Sequence, residues 1–191
     1  MSTEIINRLN WIDLLMGLIL IRAIYIGIKR GIIIEIFKLI GVLFSIFIAL
    51  HYFSAVSKFI QDKVHVPPGP ADLFSYSILW GIVMSVFKFI RDGFTMLFKV
   101  EAHSVFDRWG GLLISIVRGL LLCSLTALFL RMSGVEYFVK NLEKSLTAVK
   151  LVSVSPKVYE ASYDKFVSKF FPSEEVNKSV FKFTDFPKEK K

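Results

Sequence analysis

Apolar residues fall into four long blocks in the first 130 positions, at about 11–28, 32–50, 73–90 and 111–130, and charged or turn-forming residues gather between the blocks. A hydrocarbon core of roughly 30 Å takes about 20 apolar residues of helix, at about 1.5 Å per residue, and each block is close to that length. In lipid the backbone has to satisfy its own hydrogen bonds, so the blocks predict helices and not isolated strands. The pattern therefore predicts an all-α, polytopic membrane protein with four transmembrane helices.

The polar intervals set the connections. Only Lys29, Arg30 and Gly31 separate the first two blocks, which forces those helices into an antiparallel hairpin. After the second block, Tyr52, Phe53, Val56, Phe59, Ile60 and Val64 recur at helical spacing among polar residues, the pattern of a helix lying in the interface. Pro67, Pro68, Gly69 and Pro70 break it before the third block. The connection from Arg91 to Arg108 is mixed and is expected to skim the head groups on the opposite side. Beyond Leu130, Val135, Phe138, Val139, Leu142, Leu146 and Val149 predict an amphipathic helix, and Val158, Tyr159, Tyr163, Phe166, Val167 and Phe170 a second after Pro156. From Pro172 onward the lysine-rich chain reads as disordered. The expected division is a membrane domain at 1–130, an amphipathic helical extension at 131–171 and a basic tail at 172–191.

With 54% hydrophobic residues among 191, the chain is too apolar for an ordinary soluble fold. A second apolar block begins within a few residues of the first and no small-residue cleavage site lies between them, so the first reads as a retained helix and not a signal peptide. The net charge of +8 invites a nucleic-acid reading, but no arginine face or nucleic-acid module is present, and anionic lipid is the expected counter-charge. Nine cations flank the short turn between blocks one and two and the link between three and four, against seven on the other face up to Lys150. The positive-inside rule then places the nine-cation face in the cytoplasm and both termini outside it. Cys123 is the single cysteine, so no intrachain disulfide forms; His51, His65 and His103 lack metal-ligand spacing, and no metal or cofactor is expected.

Small residues recur four apart in every block: Ala23, Gly27 and Gly31; Gly41, Ser45 and Ala49; Ser77, Gly81 and Ser85; Gly111, Ser115, Gly119, Cys123 and Ala127. Between helices in lipid, such residues allow close backbone approach and read as packing seams. Ionisable residues inside or beside the blocks are Asp13, Arg22, Glu35, Lys38, Asp107, Arg108 and Arg118. Arg22 and Arg118 have the reach to snorkel, Lys88 reads as an anchor, and Asp13 favours a helix N-terminus. Glu35 and Lys38, three apart, suit an ion pair on one face, with packing and function both open.

The run Asp107, Arg108, Trp109, Gly110, Gly111, then Ser115, Arg118 and Gly119, resembles the colicin V production protein (CvpA) family, whose fourth helix opens with Asp-Arg followed by glycines four apart. Asp13, Gly27, Lys29, Arg30, Gly31 and Glu35 are similar to the family's first turn. The resemblance covers about residues 10–130, with Ser115 where the family pattern usually has glycine. It implies a bacterial inner-membrane protein needed for colicin V production where that toxin exists, and linked to envelope integrity. Some relatives carry a serine protease after the four spans, but this tail is short and lacks Gly-x-Ser-x-Gly.

No nucleophile–base pair, phosphate loop or dinucleotide fingerprint occurs, and no enzyme is expected. Two functions remain open. The bundle is a scaffold or assembly factor whose small-residue faces bind other membrane proteins or a second copy; or Asp13, Arg22, Glu35, Lys38 and Arg118 line a path for an ion or small solute, most simply in an oligomer. Convergence of those five side chains on one cavity separates the two.

Overall fold

The protein is described by a computed structural model in which residues 10–97, 105–170 and 174–184 are placed. Helix α1 spans Trp11–Val64, 54 residues without a proline. Straight, it would run about 81 Å, more than twice a bilayer core. It is not straight, because Gly31 takes φ 76° and ψ 177°, a backbone region open in practice only to glycine. The helix there turns back into two limbs, 11–30 and 32–64. Their far ends both meet C-terminal segments: the Asn10 side-chain amide donates to the Asn141 carbonyl at 2.7 Å, and the Asn177 side-chain amide donates to the carbonyls of Leu50 and His51 at 2.9 and 3.1 Å.

Helix α2 spans Pro68–Leu97 and α3 spans Val105–Met132. Pro68 and Pro70 sit in the first turn of α2, where a missing amide hydrogen breaks no helical bond. With α1, these are the three helices long and apolar enough to cross a membrane. Both α2 and α3 pack chiefly on α1. Along the bundle, Ser45, Ser75, Ser77, Ser85 and Thr126 each donate a hydroxyl to the carbonyl four residues earlier, which leaves little polar surface unsatisfied in an apolar setting.

Three short helices follow: α4 (Glu136–Lys144), α5 (Ala148–Leu151) and α6 (Val154–Ser162), the last continuing through a π-helical turn at Tyr163–Val167 and a short turn at Ser168–Phe170. They close the end of the bundle opposite Gly31. Leu142, Ala148, Val152 and Tyr159 are fully buried in one apolar core with Ile12, Ile46, Phe53 and Leu128. We call this the cap end and the other the turn end.

Three expectations need correction. Residues 52–64 are not a separate interfacial helix but the continuation of α1, since no glycine or proline interrupts the chain before His65, which closes the helix in the left-handed conformation. The first amphipathic run is split, because Ser145 and Thr147 leave the helix to bond Asp13. The tail is not disordered throughout: Lys178–Phe183 forms a 3-10 helix that buries Val180 and sets Phe183 edge-on to Phe53. Its polar lysines face outward while one apolar side chain enters the core. In the link between α2 and α3, residues 98–104, including His103, lie outside the described residues, as do 171–173 and 185–191.

Candidate functional site

The site begins with the packing of α3 on the first limb of α1. Ala23 faces Gly119, Gly27 faces Ser115, and Gly31 faces Gly111, one pair per turn on antiparallel helices. A Cβ on Gly111 would lie 2.5 Å from the Gly27 carbonyl, one on Gly119 would lie 3.1 Å from the Ala23 Cβ, and one on Gly27 would overlap Ser115. Helix axes this close bring side chains at the seam's edges into the same small volume. Gly41 serves a second contact, against Phe87 of α2 at 2.9 Å from a built Cβ. Gly81, expected in a packing seam, has nothing within 4 Å and faces outward with Ser85. Helix α2 uses its other face, carrying Tyr76 and Val83, against the core.

At the turn end, Asp107 Oδ1 accepts the Ile32 amide at 2.8 Å. Breaking α1 at Gly31 leaves that amide as a free donor at the start of the second limb, and the carboxylate supplied by α3 caps it. Asp107 also lies in the first turn of α3, so two helix N-termini favour its charge. Its position is that of a joint between helices. Arg108 beside it is exposed.

One turn into the second limb, Glu35 is fully buried. It pairs with Lys38 on its own helix and accepts from Arg118 Nε of α3 at 2.8 Å. Arg118 is 8% exposed, and its Nη2 is buried without a hydrogen-bond partner among the described residues. Two cations and one carboxylate leave this cluster net positive. In a low dielectric, an excess charge and an unpaired guanidinium N–H both carry a cost that a bound anion would remove.

Such a volume adjoins the cluster. A cavity of about 550 Å³ lies between the first limb and α2, floored by the second limb and α3. Lys38 and Arg118 line it from the floor, with Arg22, Arg30, Lys88 and Arg91 at the walls. Arg91 is held by Asp92 through Nε and Nη2 at 2.9 and 2.6 Å. Arg22, Arg30 and Lys88 form no ion pair with a described residue.

Residues 12–156 match the family described as Colicin V production protein. The chain belongs to that family. The match runs past Leu130 through α4 and α5 into α6. No curated protein and no solved structure matches the chain.

Within this family member, the structure brings Arg22, Glu35, Lys38 and Arg118 to one place and leaves Asp13 apart. At the cap end Asp13 Oδ1 accepts from Ser145 Oγ at 2.7 Å, Thr147 Oγ1 at 2.6 Å and the Thr147 backbone amide at 3.0 Å, while Oδ2 takes the Asn10 backbone amide at 3.1 Å. Asp13 is the peg on which the extension hangs. Sequence reasoning missed Arg30, Lys88 and Arg91 as cavity residues because each lies near a helix end, where a basic side chain already has an anchoring role. Their common end of the bundle was the available signal.

It also missed a polar chain at the cap end. The Asn177 backbone amide donates to the Tyr159 hydroxyl at 3.0 Å, that hydroxyl reaches His51 Nδ1 at 2.8 Å, and Nε2 meets Glu174 at 2.7 Å. Burial raises the Tyr159 pKa above the ordinary tyrosine value. Tyr159 and Glu174 lie more than 100 residues from His51 in sequence, and no local spacing announces the contact. Among the described residues, no group of three or more His, Cys, Asp or Glu is arranged to hold a metal.

Proposed function

We propose that this chain is a four-crossing protein of the bacterial inner membrane, with both termini outside the cytoplasm, that serves toxin production, export or envelope homeostasis by binding an anion in the cavity between α1 and α2. The reversal at Gly31 supports two crossings for α1, and the basic turn end supports its cytoplasmic placement. The observation that carries the binding role is a cavity lined by Arg118 and five further cations, with Arg118 Nη2 buried beside it and without a hydrogen-bond partner among the described residues. A scaffold needs no such charge inside a membrane domain, where each costs free energy.

The outward-facing Gly81 and Ser85 favour a second reading, a scaffold that takes another membrane helix on α2. One experiment separates the two. In a strain lacking the protein, the Arg22→Gln/Lys88→Gln double variant should accumulate in the membrane normally yet fail to restore tolerance to envelope stress, while Gly81→Leu restores it. The reverse pattern establishes the scaffold. A reporter active only outside the cytoplasm, fused after Lys191, should be active; activity of a cytoplasm-only reporter at that position overturns the topology.

A further inference from the structure

The cavity is not uniformly polar, and its polarity has a direction. At the turn end it is lined by Arg30, Lys38 and Arg91; towards the cap end the lining becomes Leu18, Val42 and Leu122. Its length follows the first limb from residue 18 to 30, about 18 Å at 1.5 Å per residue. Leu18 on its wall is 63% exposed, and Arg22, Arg30, Lys88 and Ser85 are also exposed, so the mouth opens sideways between two membrane-crossing segments. An inorganic anion would occupy the cationic end and leave the apolar end empty. An apolar molecule would leave Arg22, Arg30 and Lys88 without a counter-charge among the described residues. An amphiphile with a phosphate head and a hydrocarbon chain fits both ends, and a lateral mouth admits it from the bilayer without a passage through water.

Resting on the anion-binding reading above, we propose that the ligand is an anionic phospholipid, its phosphate held at Arg118, Lys38 and the Arg22, Lys88 rim on the turn-end leaflet, and its chain lying along Leu18 and Leu122. Arg118 and Lys38 line the cavity floor, and the exposed cations supply the charge that draws an anionic head group from the leaflet.

The test is native mass spectrometry of the purified full chain, titrated separately with phosphatidylglycerol, phosphatidylcholine and inorganic phosphate. Phosphatidylglycerol should be retained in preference to phosphatidylcholine. Arg22→Gln/Lys88→Gln should weaken it by roughly 25-fold, from about fivefold per cation removed. Both side chains are exposed, so this pair tests the site even where Arg118→Gln fails to fold. Lys58→Gln/Lys63→Gln removes the same charge from exposed positions near the end of α1 and should change nothing. Equal retention of the two lipids, or equal loss in both double variants, overturns the proposal. Tight inorganic phosphate with no lipid preference overturns it while leaving the anion-binding reading intact; no binding of phosphate or lipid overturns both.

Discussion

Gly31 meets two demands that no other residue type meets together. Its φ of 76° and ψ of 177° lie where a side chain clashes with its own backbone, and a Cβ there would stand 2.5 Å from Asp107 Oδ2. Strain of the first kind costs about 1–3 kcal/mol, and the second adds to it by displacing the carboxylate from the Ile32 amide. Gly31→Ala should therefore lower the thermal midpoint in detergent by several degrees. Gly17→Ala, on the same helix with nothing within 4 Å of a Cβ, should leave it unchanged or slightly higher. Equal midpoints for the two variants would remove the special role given to the turn. At this scale the sequence was informative about reversal, since Lys29, Arg30 and Gly31 between apolar blocks leave no other course. It was silent on how the exposed amide of Ile32 is satisfied, because the answer comes from Asp107, 75 residues away.

Between elements, four-residue spacing on two helices becomes a seam only when the registers coincide. Ala23, Gly27 and Gly31 meet Gly119, Ser115 and Gly111 in order, so each short side chain fills the gap left by another. On α2, with the same spacing, Gly81 has nothing within 4 Å of a built Cβ. Periodicity says which residues share a face but not what that face touches, and so Gly27 and Gly81 looked alike in sequence. The seam predicts a sharp contrast between adjacent positions. Gly119→Leu places a branched side chain where a Cβ alone would be 2.8 Å from Leu20 Cδ1, an overpacking that costs about 1–3 kcal/mol and parts α3 from the first limb. Leu120→Ile, at a position 38% exposed, should be tolerated. Matching detergent stability of both variants would count against a close-packed seam. Loss of the seam should also widen the cavity, because Arg118 sits beside Gly119 and takes its direction from the same stretch of α3.

Across the whole molecule, the two ends of the bundle are built by different means. The turn end is a backbone reversal fixed by one glycine and one carboxylate; the cap end is a separate set of short helices fastened through side-chain hydrogen bonds to α1. Its fastening depends most on Asp13, which takes four donors from Asn10, Ser145 and Thr147. A carboxylate at the start of an apolar helix was readable as a favourable N-terminal charge, but its larger work is tertiary and becomes visible only once residues 145–147 fold back. Asp13→Ala leaves buried donors without an acceptor, at about 1–3 kcal/mol for each unsatisfied group. That penalty falls on the cap alone, since the seam and the Glu35 cluster lie nearer the other end. Limited proteolysis of Asp13→Ala in detergent should thus cut within residues 131–184 well before any cleavage of the membrane bundle, with Asp13→Asn intermediate because one acceptor oxygen remains. Cleavage at the wild-type rate would show that the buried apolar contacts of Leu142, Ala148 and Val152 hold the cap without Asp13.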